Sequence, residues 1–165
     1  MSQGIALEGM RLVTTYLPRA YATPDDLEAR AHMMSAAAMG ATAFQKGLGA
    51  IHAMSHPVGA VFNTHHGTTN AVCMPAVLAF NADAIRGRFD QAAAYLGIDG
   101  GFDGFCEFVQ QFNDSFAIPR TLTEMGVSTD RLDDLVAMAL EDPSCGGNPV
   151  ELTADGLRGL FRACF

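Results

Sequence analysis

"GLGAIHAMSHPVGAVFNTHHGTTNAVCMP", residues 47–75, contains four of the five histidines of the chain. His52 and His56 are four residues apart, so on a helix both side chains point from one face, one turn apart. His66 lies ten residues beyond His56, where a bent helix and a short connection would return it toward the same face. Imidazole is the commonest metal ligand and also serves as a general acid or base. The spacing therefore indicates a metal site or an acid–base site, although positions 53–55 lack the glutamate of the HExxH protease motif.

Outward from this stretch, almost every segment has the apolar periodicity of a helix, and no run alternates with the period of a strand. We therefore predict an all-α protein, a multi-helix bundle of about seven or eight helices. Pro18 is expected to end the first helix, and Thr23 to cap the second, with Pro24 at its first position. Pro57 is expected to bend or end the histidine-bearing helix. Further helix ends are expected at Gly97, at Ser128 or Thr129, and at Thr153.

Composition places limits on the function. The chain has 165 residues, enough for one domain with a real core, and it is 49% hydrophobic. A net charge of −8 with a single lysine argues against a nucleic-acid partner or an anionic membrane surface. No transmembrane run or signal peptide is recognisable. The cysteines form no CxxC pair, which excludes zinc-ribbon and redox motifs and favours reduced thiols in a cytoplasmic protein.

Several features have a plain structural interpretation beside a functional one. His32 is expected to be a packing residue, since a lone histidine on a helix is more often that than a ligand. The methionines are expected to be core residues; they are Met33, Met34, Met39, Met54 and Met74. The small residues of the second helix suggest close packing on a neighbouring helix. "PSCGGNP" (143–149) is either a simple turn or a loop that places Cys145 at the wall of a substrate pocket.

Together these residues resemble the signature of the iron-containing (group III) alcohol dehydrogenases. The family pattern Gly-x-x-His-x-x-x-His-Pro-x-Gly, followed by His-Gly and Asn-Ala, matches residues 49–71 in order and spacing. "IPRTLTEMGV" and "CGGNP" agree as well, so the resemblance covers nearly the whole chain. It implies the all-helical C-terminal domain of the dehydroquinate synthase-like, iron-dependent alcohol dehydrogenase fold. In that family the domain packs under an N-terminal dinucleotide-binding domain, with Fe(II) or Zn(II) in the cleft.

The resemblance also implies residue roles. His52 and His66 resemble the two metal-binding histidines of this region, and His56 resembles a catalytic histidine close to substrate and nicotinamide. Cys145 resembles a residue of the substrate-pocket wall, and His65 has no assigned role. In the family, an aspartate and a histidine from an upstream helix complete the metal site.

Residues 1–165 are therefore expected to be a single helical metal-binding domain with half of a metal site and no NAD(P)-binding domain. The expected function is that of the C-terminal domain of an iron-dependent, NAD(P)-linked alcohol dehydrogenase, acting on a small alcohol or aldehyde. The 165 residues alone are expected to have little activity. The chain is expected to form a homo-oligomer or to bind a separately encoded N-terminal domain. The alternatives are a stand-alone helical oligomerisation or docking module, and simple metal binding through His52, His56 and His66.

Overall fold

The computed structural model describes residues 1–165 and consists of helices and connecting turns, with no β-strand. The eight α-helices are α1 (Ser2–Ala22), α2 (Leu27–Ala43), α3 (Ala50–Phe62), α4 (His66–Phe80), α5 (Ala82–Leu96), α6 (Gly101–Ser115), α7 (Leu132–Glu141) and α8 (Ala154–Cys164). Short 3₁₀ turns lie at Phe44–Lys46, Thr123–Met125, Thr129–Arg131 and Pro143–Gly147. The prediction of an all-α bundle with seven or eight helices is confirmed. None of these helices combines the length and the apolar character needed to cross a membrane.

Two α-helix ends and the start of one 3₁₀ turn lie where local sequence signals predict helix ends. Gly97 ends α5 in the left-handed conformation, with φ of 72°. The Ser128 side chain accepts a hydrogen bond from a backbone N–H in the turn that precedes α7. Thr153 caps α8 by accepting a hydrogen bond from the N–H of Gly156. Each signal works because the cap supplies a partner for a backbone group that the helix itself leaves unpaired.

The boundary between α1 and α2 differs from the prediction. Helix α1 continues through Pro18 to residue 22, and Asp26, not Thr23, caps α2 by accepting a hydrogen bond from a backbone N–H. The last turn of α1 is held by tertiary contacts. Arg19 forms an ion pair with Asp26 at 2.8 Å, and the ring of Tyr21 packs edge-on against that of Phe116. These contacts compensate for the one backbone hydrogen bond that proline removes.

Prolines also lie inside α3 and α4. Pro57 does not end α3, which continues to Phe62. Pro75 lies within α4, and because it has no N–H, the carbonyl of Ala71 one turn earlier lacks its usual helical partner. The side-chain amide of Asn113 on α6 donates to that carbonyl at 3.2 Å. The hydrogen bond lost within α4 is thus replaced by one that joins α4 to α6.

Two apolar clusters hold the bundle together. The larger joins α3, α4, α7 and α8, and the smaller joins α4, α5 and α6 with partly buried residues of α1. In α3, Ala50, Met54 and Val58 are fully buried in the larger cluster, whereas His56 is exposed and His52 half-buried. The burial of one face of α3 therefore turns its two histidines away from the core.

The α1–α2 hairpin packs closely through small residues, as predicted. A Cβ atom on Gly9 of α1 would lie 3.3 Å from the Cβ of Met39 on α2, and Ala29 and Ala36 of α2 are buried. The expectation that the methionines form core is wrong for Met34, whose exposed fraction is 76%. Helix α2 packs mainly on α1, so its outer face, including Met34, is left exposed.

Candidate functional site

Three histidines from two helices come together at one surface. The ring centroids of His52 and His56, one turn apart on α3, are 5.6 Å apart. His66, the first residue of α4, brings its ring centroid within 5.2 Å of that of His52 and 5.5 Å of that of His56. The turn between α3 and α4 makes this possible, since Asn63 ends α3 in the left-handed conformation and reverses the chain. The histidines that the sequence pattern singles out therefore share one site.

Asn70 lies between two of these rings. Its amide nitrogen, Nδ2, is 3.1 Å from Nε2 of His66 and 3.4 Å from Nε2 of His52. The spacing from His66 to Asn70 is one helical turn on α4, which places both side chains on the same face. The Nε2 atoms of His52 and His66 are thus directed toward a common point, which the amide nitrogen fills.

His56 has a different partner. Its Nδ1 lies 2.8 Å from a carboxylate oxygen of Asp142, and the other oxygen of Asp142 accepts a hydrogen bond from the N–H of Ser144. Burial raises the pKa of the Asp142 carboxyl, but the hydrogen bonds from Ser144 and His56 outweigh it, and the net pKa is below the ordinary value. Asp142 is therefore an anion that holds the His56 ring from its Nδ1 side.

The surroundings of His52 lower its pKa. Burial lowers the pKa of His52 below its ordinary value, and the neighbouring imidazoles of His66 and His56 lower it further, while Asp142 acts weakly in the opposite direction. A neutral imidazole has a free lone pair, which is the form that binds metals. The position of His52 between two other imidazoles therefore favours the ligand-competent state.

The loop that carries Asp142 is fixed to the start of α3. The side-chain Oδ1 of Asn148 accepts hydrogen bonds from the N–H of Ala50 and from the amide of Asn81. Its Nδ2 donates to Oδ1 of Asn81 and to the carbonyl of Val150. Gly147 allows the close approach of backbones, since a Cβ there would lie 1.9 Å from the carbonyl oxygen of Leu48. These contacts set the distance between Asp142 and His56.

Cys145, in the same loop, is half-buried and packs against the larger apolar cluster. Its thiol donates to the carbonyl of Ala139 on α7 at 2.9 Å. Burial raises the pKa of this thiol, and the nearby Asp142 carboxylate raises it further, so the neutral form is favoured. The position of Cys145 as a pocket wall stays a prediction.

The remaining two histidines have structural roles. His65 is the N-cap of α4, where its Nδ1 accepts a hydrogen bond from the N–H of Thr68. The ring of His32 stacks on that of Tyr16 at a centroid distance of 3.9 Å, which agrees with the packing role predicted for it.

Sequence reasoning missed Asp142, Asn70 and Asn148. The "Asn-Ala" pair after "His-Gly" was a signal for Asn70, because four residues separate it from His66 on a helix. Asp142 had no local signal, since 86 residues separate it from His56. Asn148 lies in the "CGGNP" turn, and no local signal points to a side-chain partner 67 residues away.

The donor set fits a metal only in part. No three side chains among histidine, cysteine, aspartate and glutamate converge closely enough to hold an ion. His52 and His66 offer two nitrogen ligands with converging Nε2 atoms, while the Nδ1 of His56 is engaged by Asp142. Neutral imidazoles suit Fe(II) and Zn(II), and a structural or catalytic site for Zn(II) has at least three protein ligands. These residues therefore fit no more than two positions of a metal site.

Comparison with known proteins supports the resemblance predicted from the sequence. The family model described as "Fe-containing alcohol dehydrogenase family, C-terminal" matches residues 1–165. The chain is 40% identical to 4-hydroxybutyrate dehydrogenase of Cupriavidus necator over 97% of its own length and 44% of the relative's length. It is 34% identical to NAD-dependent methanol dehydrogenase of Bacillus methanolicus, over 98% of the chain and 45% of the relative.

A solved structure has nearly the same fold as this chain. A 1,3-propanediol oxidoreductase superposes with a TM-score of 0.94 at 28% identity, over 99% of this chain and 45% of that protein. The chain thus spans a little under half the length of the relatives it matches. The all-helical fold expected from the resemblance is confirmed.

Proposed function

The chain belongs to the Fe-containing alcohol dehydrogenase family, and on that premise we propose that residues 1–165 are the metal-binding helical domain of an NAD(P)-linked alcohol dehydrogenase. The observation that carries the proposal is the pair His52 and His66, which come from different helices and direct Nε2 at one shared point. These two residues would hold Fe(II) or Zn(II). Further ligands and the nucleotide site would belong to the part of the enzyme that corresponds to the remaining half of the relatives.

The bound metal would act as a Lewis acid that favours the alkoxide of a small alcohol while NAD(P) accepts the hydride. The residues of this chain have two tasks around that chemistry. His52 and His66 would hold the ion. His56 would accept the hydroxyl proton as a general base. Its Nδ1–H donates to Asp142, so its Nε2 is free to take up a proton.

Asp142 would act as the positioning residue for His56. A carboxylate that accepts from Nδ1–H fixes the tautomer and the ring orientation, and it stabilises the imidazolium when Nε2 takes up a proton. The exposed fraction of the His56 side chain is 42%, against 12% for Asp142. A proton taken up by His56 can therefore pass on to solvent while the anion that holds the ring stays covered.

A chimeric enzyme tests this function. The N-terminal part of the Cupriavidus necator 4-hydroxybutyrate dehydrogenase, joined to residues 1–165 in place of its own C-terminal part, would be loaded with Fe(II) or Zn(II). We expect metal-dependent reduction of NAD or NADP with 4-hydroxybutyrate or a panel of primary alcohols. The unfused chain should show none. Robust turnover by the 165 residues alone would refute the proposal that activity needs ligands and a nucleotide site from outside these residues.

Matched histidine variants of the chimera sharpen the test. His52→Ala and His66→Ala should each abolish activity together with metal retention. His56→Ala should retain the metal and lower kcat by about 10²-fold or more, the usual contribution of a general acid or base. His65→Ala is the control, because this cap lies next to the site and should leave activity unchanged. If the His65 variant loses as much activity as the His66 variant, the assignment fails.

Metal binding by the 165 residues is a separate measurement. Two imidazoles without a carboxylate bind weakly, so elemental analysis after dialysis should find substoichiometric Fe or Zn. The chimera should retain about one ion per chain. Stoichiometric retention by the 165 residues alone would mean that another copy, or another residue, completes the site.

A second candidate function, docking onto a partner or onto another copy, is favoured by the α1–α2 hairpin. Large apolar side chains on it are exposed, including Leu27 and Met34, as is Phe44 in the turn that follows α2. Exposed apolar patches of this kind mark interaction surfaces. Light scattering of the purified chain tests this candidate, and a monomer at all concentrations would count against it.

A further inference from the structure

We infer that Asn70 is a positioning residue that holds His52 and His66 in the neutral tautomer protonated at Nδ1, so that both Nε2 lone pairs face one point. The inference rests on the proposed function for its purpose, since that tautomer binds a metal through Nε2. The tautomer preference itself rests on the position of the Asn70 amide, so it can be tested separately from metal binding.

The donor count of the amide supports the assignment. The Nδ2 group of asparagine carries two hydrogens and accepts none. Its two close neighbours are Nε2 of His66 at 3.1 Å and Nε2 of His52 at 3.4 Å, one for each hydrogen. A ring nitrogen that accepts a hydrogen bond cannot carry a proton, so a neutral ring in this arrangement is protonated at Nδ1. One side chain thereby sets the protonation pattern of two histidines from different helices.

The other end of the amide shows that this arrangement has a cost. Oδ1 of Asn70 is buried and has no hydrogen-bond partner. An unpaired buried acceptor costs about 1–3 kcal/mol, and such groups are few in folded proteins and tend to mark functional positions. A residue chosen only for stability at this position would be apolar, like Val72 and Cys73 beside it. The cost fits a residue kept for what its Nδ2 group does.

The preference matters because protonation at Nε2 would put a hydrogen where the ion must bind. A neutral imidazole has no fixed preference between its two nitrogens until a hydrogen-bond partner selects one. The hydrogen bond from Asn70 supplies that choice. When an ion arrives at the common point, the amide only has to move aside, and neither ring has to turn or to shift its proton.

The test is a tautomer measurement on the metal-free 165-residue chain, by long-range ¹H–¹⁵N NMR of the histidine rings above the ordinary histidine pKa of 6.5. In the wild type, Nε2 of His52 and His66 should have a pyridine-like ¹⁵N shift and Nδ1 a pyrrole-like shift. Asn70→Asp is nearly isosteric, but its carboxylate only accepts hydrogen bonds. It should reverse the pattern and give pyrrole-like Nε2 signals on both rings. Asn70→Ala should leave a mixture of tautomers.

Controls separate positioning from folding. Thr68→Ala, two residues away on α4, should leave the tautomers of His52 and His66 unchanged. The far-UV circular dichroism and the His32 ring signals should stay the same in all variants. Pyrrole-like Nε2 signals in the wild type, or an unchanged pattern in Asn70→Asp, would overturn the inference. A titration of the wild type with Zn²⁺ to large excess, which detects weak binding, then tests the proposed function alone. No Zn²⁺-induced shifts at His52 and His66 even in excess would contradict that function and leave the tautomer result intact.

Discussion

Replacing Asn148 by alanine removes the connection between the Asp142 loop, the start of α3 and the junction of α4 with α5. Four hydrogen bonds are lost, of 2.7–3.1 Å, with Ala50, Asn81 (two) and Val150. Each such bond contributes about 0.5–1.5 kcal/mol net, and an unpaired buried amide costs about 1–3 kcal/mol. Asn81 is 4% exposed, and its side-chain amide loses both of its hydrogen bonds in the variant. We expect Asn148→Ala to lower the free energy of unfolding by about 2–4 kcal/mol, because water replaces part of the lost bonding.

Urea unfolding followed by far-UV circular dichroism measures this loss, with Gln111→Ala on exposed α6 surface as the control. A double-mutant cycle with Asn81→Ala gives the sharper result. Removing both amides leaves neither unpaired, so the double variant should be more stable than the sum of the single effects predicts, by about 1–2 kcal/mol. A loss below about 1 kcal/mol for Asn148→Ala, or strict additivity in the cycle, would refute the reasoning that this amide pair holds the loop.

Further predictions concern the loop, the cap and the pH dependence. Gly147→Ala puts a Cβ against the carbonyl of Leu48 and should cost about 1–3 kcal/mol in urea unfolding, while Gly146→Ala, with open space around it, should change stability by less than about 0.5 kcal/mol. His65→Ala removes the N-cap of α4 and should cost about 0.5–1 kcal/mol without altering the tautomers of the neighbouring site histidines. The pKa of Asp142 is lowered in the folded state, so its contribution is present above the ordinary value of 3.8 and is lost as the pH falls through the lowered value. The stability difference between wild type and Asp142→Asn should therefore shrink in acid, and a difference that stays constant from neutral to acidic pH would contradict this.

The helices and the three clustered histidines could be predicted because their signals are local. A four-residue spacing fixes a shared helix face, and caps such as Gly97 and Thr153 act on the adjacent backbone. The end of α1 was predicted wrongly for the opposite reason. Pro18 is a local stop signal, but the ion pair of Arg19 with Asp26 and the packing of Tyr21 on a ring of another segment continue the helix past it.

The partners of the histidines could not be predicted from the sequence in the same way. Asp142 reaches His56 only through the packing of α7 against α3. The chain has 18 aspartates and glutamates, and the sequence does not show which of them contacts this histidine. The amide pair of Asn81 and Asn148 joins positions 67 residues apart. Hydrogen-bond partners at such separations depend on how the helices pack, and a single sequence does not record that arrangement.

The proline inside α4 makes two distant positions depend on each other. Any other residue at position 75 would bring an N–H that shares the Ala71 carbonyl with the amide of Asn113, so the bond from Asn113 would contribute less to stability. A change at position 113 that keeps Pro75 leaves that carbonyl without a donor. Substitutions at positions 75 and 113 are therefore expected to be non-additive, because replacing Asn113 costs more stability while Pro75 is present than after Pro75 has been replaced.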